Sequence, residues 1–166
     1  HTVSAVVGAV IAAGGDNTEV LRVLRPGIDV AAESAARDAA GFGELLTETD
    51  LYPDARPVLS ALRDTGLRVV VAGNQTARAG ALLRRLGLPA DAIATSEEWG
   101  VAKPDRGFFD RVVELAGCAP GHILYVGDRP DRDVLPAAAA GLRAALLRRG
   151  PWGHLWADSP QAAMRR

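Results

Sequence analysis

Residues 122–133 read His-Ile-Leu-Tyr-Val-Gly-Asp-Arg-Pro-Asp-Arg-Asp. His122 to Val126 is a short apolar run of the kind that forms a buried strand, and Gly127 ends it. Three carboxylates, Asp128, Asp131 and Asp133, then follow within six residues. Charges of one sign so close repel unless a cation sits among them or N–H groups satisfy them. Asp128, at the strand tip, is the best placed for a cation. Mg²⁺ takes oxygen ligands, one or two of them carboxylates, and completes its shell with water and phosphate. Asp131 and Asp133 can instead be helix-start residues satisfied by N–H groups, and Asp131 reads as such a cap.

Working outward, the texture from Leu51 onward alternates helix and strand. Pro53 opens a helix with Val58, Leu59 and Leu62 turned inward, and Gly66 closes it. Leu67 to Ala72 is an apolar strand, Thr76 to Leu86 a helix, and Ala92 to Thr95 a second strand. Asp105 caps a helix carrying Phe108, Phe109, Val112 and Val113, which Gly117 ends. Asp131 to Ala140 is the next helix and Leu142 to Leu147 the last strand. This alternation implies right-handed crossovers and a parallel sheet with helices on both faces. Ligands on such sheets sit at the carboxyl ends of the strands.

Two further loops stand at those ends. Gly73-Asn74-Gln75-Thr76 leads into a helix, whose first N–H groups and dipole suit an anion. The same stretch also serves an ordinary helix cap through Asn74 or Thr76. Lys103 precedes Pro104, which fixes the backbone ahead of the Asp105 cap. Lys103 is the chain's one lysine against eighteen arginines. From a rigid loop it can neutralise a phosphoryl oxygen and a carboxylate together, although a solvated surface lysine has the same sequence.

Residues 2–50 read as a small helical module. Val3, Val6, Val7, Val10 and Ile11 fit one helix face, although their β-branching also suits a strand. Asp16 to Glu19 is a capping-box pattern, and Asp29 caps an Ala-rich helix ending near Gly41. The remaining arithmetic excludes whole classes. At 166 residues, 48% hydrophobic and mean hydropathy +0.06, the chain is one globular domain or a core with an appendage. A net charge of −1 gives no footprint for nucleic acid or an anionic membrane. The single cysteine, Cys118, excludes an internal disulfide and a cysteine metal site. No apolar run reaches membrane-spanning length, and no signal peptide is visible. His122 reads as structural, and Trp152 and Trp156 as cover for a sheet edge. Trp99 suits core packing and substrate contact equally.

Val71-Ala72-Gly73-Asn74, Lys103-Pro104-Asp105 and Gly127-Asp128 through Asp133, in this order and each behind its strand or loop, resemble the second, third and fourth motifs of the haloacid dehalogenase (HAD) superfamily. The resemblance runs from Leu51 to Trp152 and looks most like actinobacterial HAD-family hydrolases. It implies an α/β fold: a three-layer Rossmann-like core with a parallel sheet, at residues 51–166. It also implies a helical cap at 1–50, incomplete at its N-terminus. By resemblance, Lys103 is catalytic, steadying the nucleophile and the transferring phosphoryl group. Gly73, Asn74 and Lys103 bind the substrate phosphate, Asp128 and Asp133 serve the metal, Mg²⁺ (magnesium), and Asp133 also supports Lys103.

Two departures stand out. Gly73 replaces the usual Ser or Thr of the second motif. The first motif, an Asp at the end of a central strand, is not found in these residues. The strand that carries it would lie between the strand ending at Ala72 and the one ending at Val126. An upstream segment, Thr2 to Ile11 as a strand, or a partner's strand would fill that slot. The expected function is a Mg²⁺-dependent phosphatase acting on a small phosphomonoester through an Asp absent from this chain, which alone is inactive. A non-catalytic HAD-like binding protein and a dehalogenase are the alternatives, and retention of Asp128 and Asp133 leans against the last. The expected partners are a small-molecule phosphate ester and a homodimer mate or strand-supplying chain, with no nucleic acid and no membrane, in the cytoplasm.

Overall fold

The computed structural model describes residues 2–150 and Leu155. Trp152, Trp156, His1 and His154 lie outside the described residues. The elements run α1 (Thr2–Ala12), α2 (Asn17–Leu24), α3 (Val30–Ala39), α4 (Ala55–Asp64), β1 (Val70–Gly73), α5 (Ala77–Arg85), β2 (Ala92–Thr95), α6 (Ser96–Trp99), α7 (Arg106–Ala116), β3 (Leu124–Gly127), α8 (Leu135–Ala139) and β4 (Arg143–Leu146). The chain divides into two compact units. Among the described residues, one comprises 2–44, 128–130, 146–150 and Leu155; the other comprises 45–127 and 131–145. The boundary thus falls six residues before the expected one at 50/51, and the short loop after β3 groups with the helical unit.

In the helical unit, Thr2 to Ile11 is helix, which removes it as a strand for the sheet. Its β-branched residues are spaced for a helix and no neighbouring strand competes for them. The Asp16 side chain accepts from the Thr18 and Glu19 N–H groups while Glu19 returns to the Asp16 N–H, closing the capping box. Asp29 caps α3 by accepting from the Ala32 N–H. Arg129, buried in this unit, donates to the Gly14 carbonyl just past α1 at 3.2 Å.

The second unit carries the strands. β1 and β2 pair in parallel with Val70 opposite Ala92 and Gly73 opposite Thr95. Asp91 closes one end of this ladder: its carboxylate accepts the Val69 N–H at 2.7 Å and its own N–H donates to the Val69 carbonyl. β3 pairs with β4 in a separate sheet, and no described strand joins the two pairs. Both nevertheless rest on one core. Phe108, Phe109 and Val112 of α7 pack with Tyr125 of β3 and with Ala137, Ala140 and Leu142, and Ala72 of β1 and Ala144 of β4 close on the same cluster. Trp99 meets Phe108 edge-on at 5.0 Å, which makes it a core residue.

Two expectations need correction. Val58 and Leu62 of α4 are 49% and 39% exposed rather than turned inward, because no described element covers that face. His122 closes a short 3₁₀ turn, Pro120–His122, ahead of β3 and is exposed; it does not start the strand. The Asp131-to-Ala140 helix forms as a π-helical turn, Pro130–Val134, running into α8.

Candidate functional site

The second unit brings its chemistry together around Lys103. The Lys103 Nζ donates to the Asp133 Oδ1 at 2.5 Å. Their side chains are 15% and 4% exposed, so little solvent screens the pair. A buried carboxylate costs free energy unless it is paired and hydrogen-bonded, and this one is both. Gly127, the last residue of β3, makes room for it: a Cβ there would collide with the Asp133 side chain.

The loop that presents Lys103 is held from β1. Asn74, the residue after that strand, accepts the Lys103 N–H on its Oδ1 at 2.8 Å and donates from Nδ2 to the Lys103 carbonyl at 2.9 Å. The Lys103–Pro104 peptide is cis. Both ends of the Asn74 carboxamide thus bond the backbone of Lys103. The turn into α5 is similarly engaged. Thr76 caps the helix through the Ala79 N–H, the Gln75 N–H donates to the Ser96 Oγ at 3.1 Å, and the Ala77 N–H donates to the Glu97 carboxylate. Gly73 has open space around it, since a Cβ would find its nearest neighbour, the Gln75 Cγ, at 3.8 Å. A serine would fit, so packing does not explain the missing hydroxyl.

Tyr125 is the residue that sequence reasoning missed. On β3 it is 8% exposed, and its ring centroid lies 5.7 Å from the Lys103 ammonium. Burial first, and then the neighbouring Asp133 charge, push its phenol far above the ordinary tyrosine range. Phe108 places its ring centroid at the same 5.7 Å from the Lys103 Nζ. The only sequence signal was a tyrosine among aliphatic residues two positions before Gly127.

Asp128 directly follows β3 and belongs with the loop grouped in the helical unit. There its Oδ2 lies 3.0 Å from where a Cβ on Gly150 would stand. Among the described residues no three His, Cys, Asp or Glu side chains gather as a ready-made metal cage. No helix among them is long and apolar enough to cross a membrane.

The comparisons agree with these motifs. The family model for haloacid dehalogenase-like hydrolase matches residues 10–141. A glyceraldehyde 3-phosphate phosphatase of Methanopyrus kandleri is 35% identical over 61% of this chain and 45% of its own length. A phosphoserine phosphatase of Thermus thermophilus is 30% identical over 86% of this chain and 58% of its own, and a phosphatase of Mycobacterium tuberculosis 34% identical over 70% and 55%. The chain thus spans about half the length of the curated relatives it matches. A crystal structure of a HAD phosphatase from Thermococcus onnurineus superposes with a TM-score of 0.56 at 31% identity, covering 61% of this chain and 48% of that one. With three motifs in order around one Lys–Asp pair and a family match over most of its length, the chain belongs to the haloacid dehalogenase-like hydrolases.

Proposed function

We propose that the protein to which this chain belongs hydrolyses a small phosphomonoester. The observation that carries this is the Lys103–Asp133 ion pair, nearly closed to solvent and set in place through the backbone of Lys103 by Asn74. A cation held this way is preorganised for charge developing on a transferring phosphoryl group. The phosphatases among its relatives support the reading. Lys103 would face the phosphoryl oxygens. Gly73 and Asn74 would contribute backbone N–H groups to the same oxygens. The attacking group would be an Asp carboxylate.

The donor set suits Mg²⁺, which keeps much of its water and asks for one or two carboxylates. Asp128 would be the direct ligand. Asp133 already carries the Lys103 ammonium. When bound, the ion would offset negative charge on the phosphate.

The test pairs two measurements. With inorganic phosphate as probe, the 166-residue chain binds in calorimetry and Lys103→Met abolishes the binding. With Mg²⁺ and a panel of phosphomonoesters, the chain alone shows no turnover. Turnover by the chain alone that Asp128→Asn removes would mean a nucleophile lies within it. Absence of phosphate binding by the unaltered chain would overturn the phosphatase reading.

A further inference from the structure

β1 ends on Gly73, and the turn that follows is pinned from the segment after β2. The Gln75 N–H donates to the Ser96 Oγ at 3.1 Å, and the Gln75 carbonyl accepts the Glu97 N–H and the Ser96 hydroxyl, both at 3.3 Å. On one side of it Asn74 holds the backbone of Lys103, and on the other Thr76 caps α5. The Gln75 backbone is therefore fixed through both its N–H and its C=O. Its side chain is exposed, and among the described residues nothing bonds its carboxamide. The stem of that side chain lies beside Gly73. A Cβ on Gly73 would meet the Gln75 Cγ at 3.8 Å and no other described atom within 4 Å. Gln75 thus borders the space that Gly73, having no side chain, leaves open at the carboxyl end of β1.

We propose that Gln75 is a phosphate-binding residue, one carboxamide N–H donating to a phosphoryl oxygen in the space beside Gly73. This rests on the phosphatase reading above and gives it a side-chain donor. A carboxamide nitrogen carries two N–H donors. A bond from such a donor to an anionic oxygen is shorter and stronger than one to a neutral acceptor. A hydroxyl on residue 73 would offer a donor in this place; the carboxamide, attached directly to Cγ, offers one from residue 75. Ordering an exposed Gln side chain costs rotamer freedom and offsets part of the gain. The pinned backbone confines that cost to the side chain.

The composition makes this directly measurable. The chain has two Asn and two Gln, so ¹H–¹⁵N spectra hold four carboxamide pairs, and Gln75→Ala identifies the one from Gln75. Inorganic phosphate titrated into the ¹⁵N-labelled 166-residue chain should move the Gln75 pair over the same concentrations as the calorimetric binding. Gln75→Ala should leave the circular dichroism unchanged and weaken phosphate binding about three- to tenfold, the scale of one hydrogen bond to a charged group less the cost of ordering the side chain. Gly73→Ser added to Gln75→Ala should recover most of that loss, because a serine fits there and returns a donor to the same space. Gln75→Glu puts a like charge where the donor stood and should weaken binding more than Gln75→Ala. A merely structural Gln75 would neither respond to phosphate nor be rescued from residue 73. In a chain that binds phosphate, an unmoved Gln75 pair, a Gln75→Ala variant that binds as the parent does, or a Gly73→Ser that recovers nothing would overturn the inference and leave the phosphatase reading in place. A parent chain that binds no phosphate would overturn that reading and the inference with it. If Gln75→Ala fails to fold, Gln75→Met, which keeps the length and removes the donor, takes its place in every arm.

Discussion

A methyl group on Gly127 would occupy space that the Asp133 carboxylate fills. The backbone there lies outside the left-handed region, so this glycine is required by a close approach and not by its own conformation. Gly127→Ala should therefore cost about 1–3 kcal/mol, as overpacking does, and should displace Asp133 from Lys103. Thermal melts check the first and calorimetric binding of inorganic phosphate the second. A variant as stable as the parent with unchanged phosphate binding would show that the carboxylate has another place to go. In the sequence, Lys103 and Asp133 were both legible as residues of one cluster, and the structure pairs them. The place of Tyr125 was not legible. A tyrosine in an apolar strand reads as core, and only tertiary structure sets its ring beside the Lys103 ammonium. Asn74 was legible as a site residue but not in its role, since its two bonds to Lys103 span 29 positions.

At the scale of elements, one carboxylate ties three of them together. Glu98 of α6 accepts the Thr95 N–H and hydroxyl at the end of β2, both at 3.0 Å, and accepts the Arg84 guanidinium of α5 at 2.7 Å. Arg84 also donates to the Ile93 carbonyl of β2. Gly80 lets α5 lie close, for a Cβ there would come within 2.8 Å of the Thr95 methyl. Desolvation raises the Glu98 pKa, but the Arg84 and Thr95 hydrogen bonds and the Arg84 charge outweigh it, and the net shift is downward from 4.5. A carboxyl held low in the folded state binds fewer protons than in the unfolded chain. Its stabilisation is thus complete above pH 4.5 and is lost as pH falls through the lower folded value. Urea unfolding at pH 7 and at pH 3–4 should show a smaller acid loss in Glu98→Gln than in the parent; equal losses would refute the assignment. The capping box of α2 and the caps of α3 and α7 followed from local sequence, because each is satisfied within four residues. Strand ends did not follow as closely. β1 begins at Val70 instead of Leu67, since pairing with β2 decides which apolar residues join the ladder.

At the scale of the whole molecule, the second unit has four short strands in two pairs set on one α7-based core. Alternation along β3 buries Tyr125 and leaves Leu124 and Val126 at 55% and 54% exposure on its other face. Val58 and Leu62 of α4 add to the apolar surface that this unit shows. The alternating pattern of helix and strand made the fold class readable, yet it could not show which ladders close, because pairing is a property of neighbours in space. Each described strand pairs with one partner only, so each pair keeps outer rows of N–H and C=O groups, and such edges associate unless charge blocks them. Leu124→Lys with Val126→Lys should therefore leave the circular dichroism of the 166-residue chain intact and reduce its self-association in sedimentation velocity. The side chains involved face away from the Phe108–Tyr125 core, so the charges meet water and not the packed cluster. A collapse of the folded signal in this double variant would mean the opposite: that Leu124 and Val126 are covered in solution, and that the two strand pairs are bridged by a further strand.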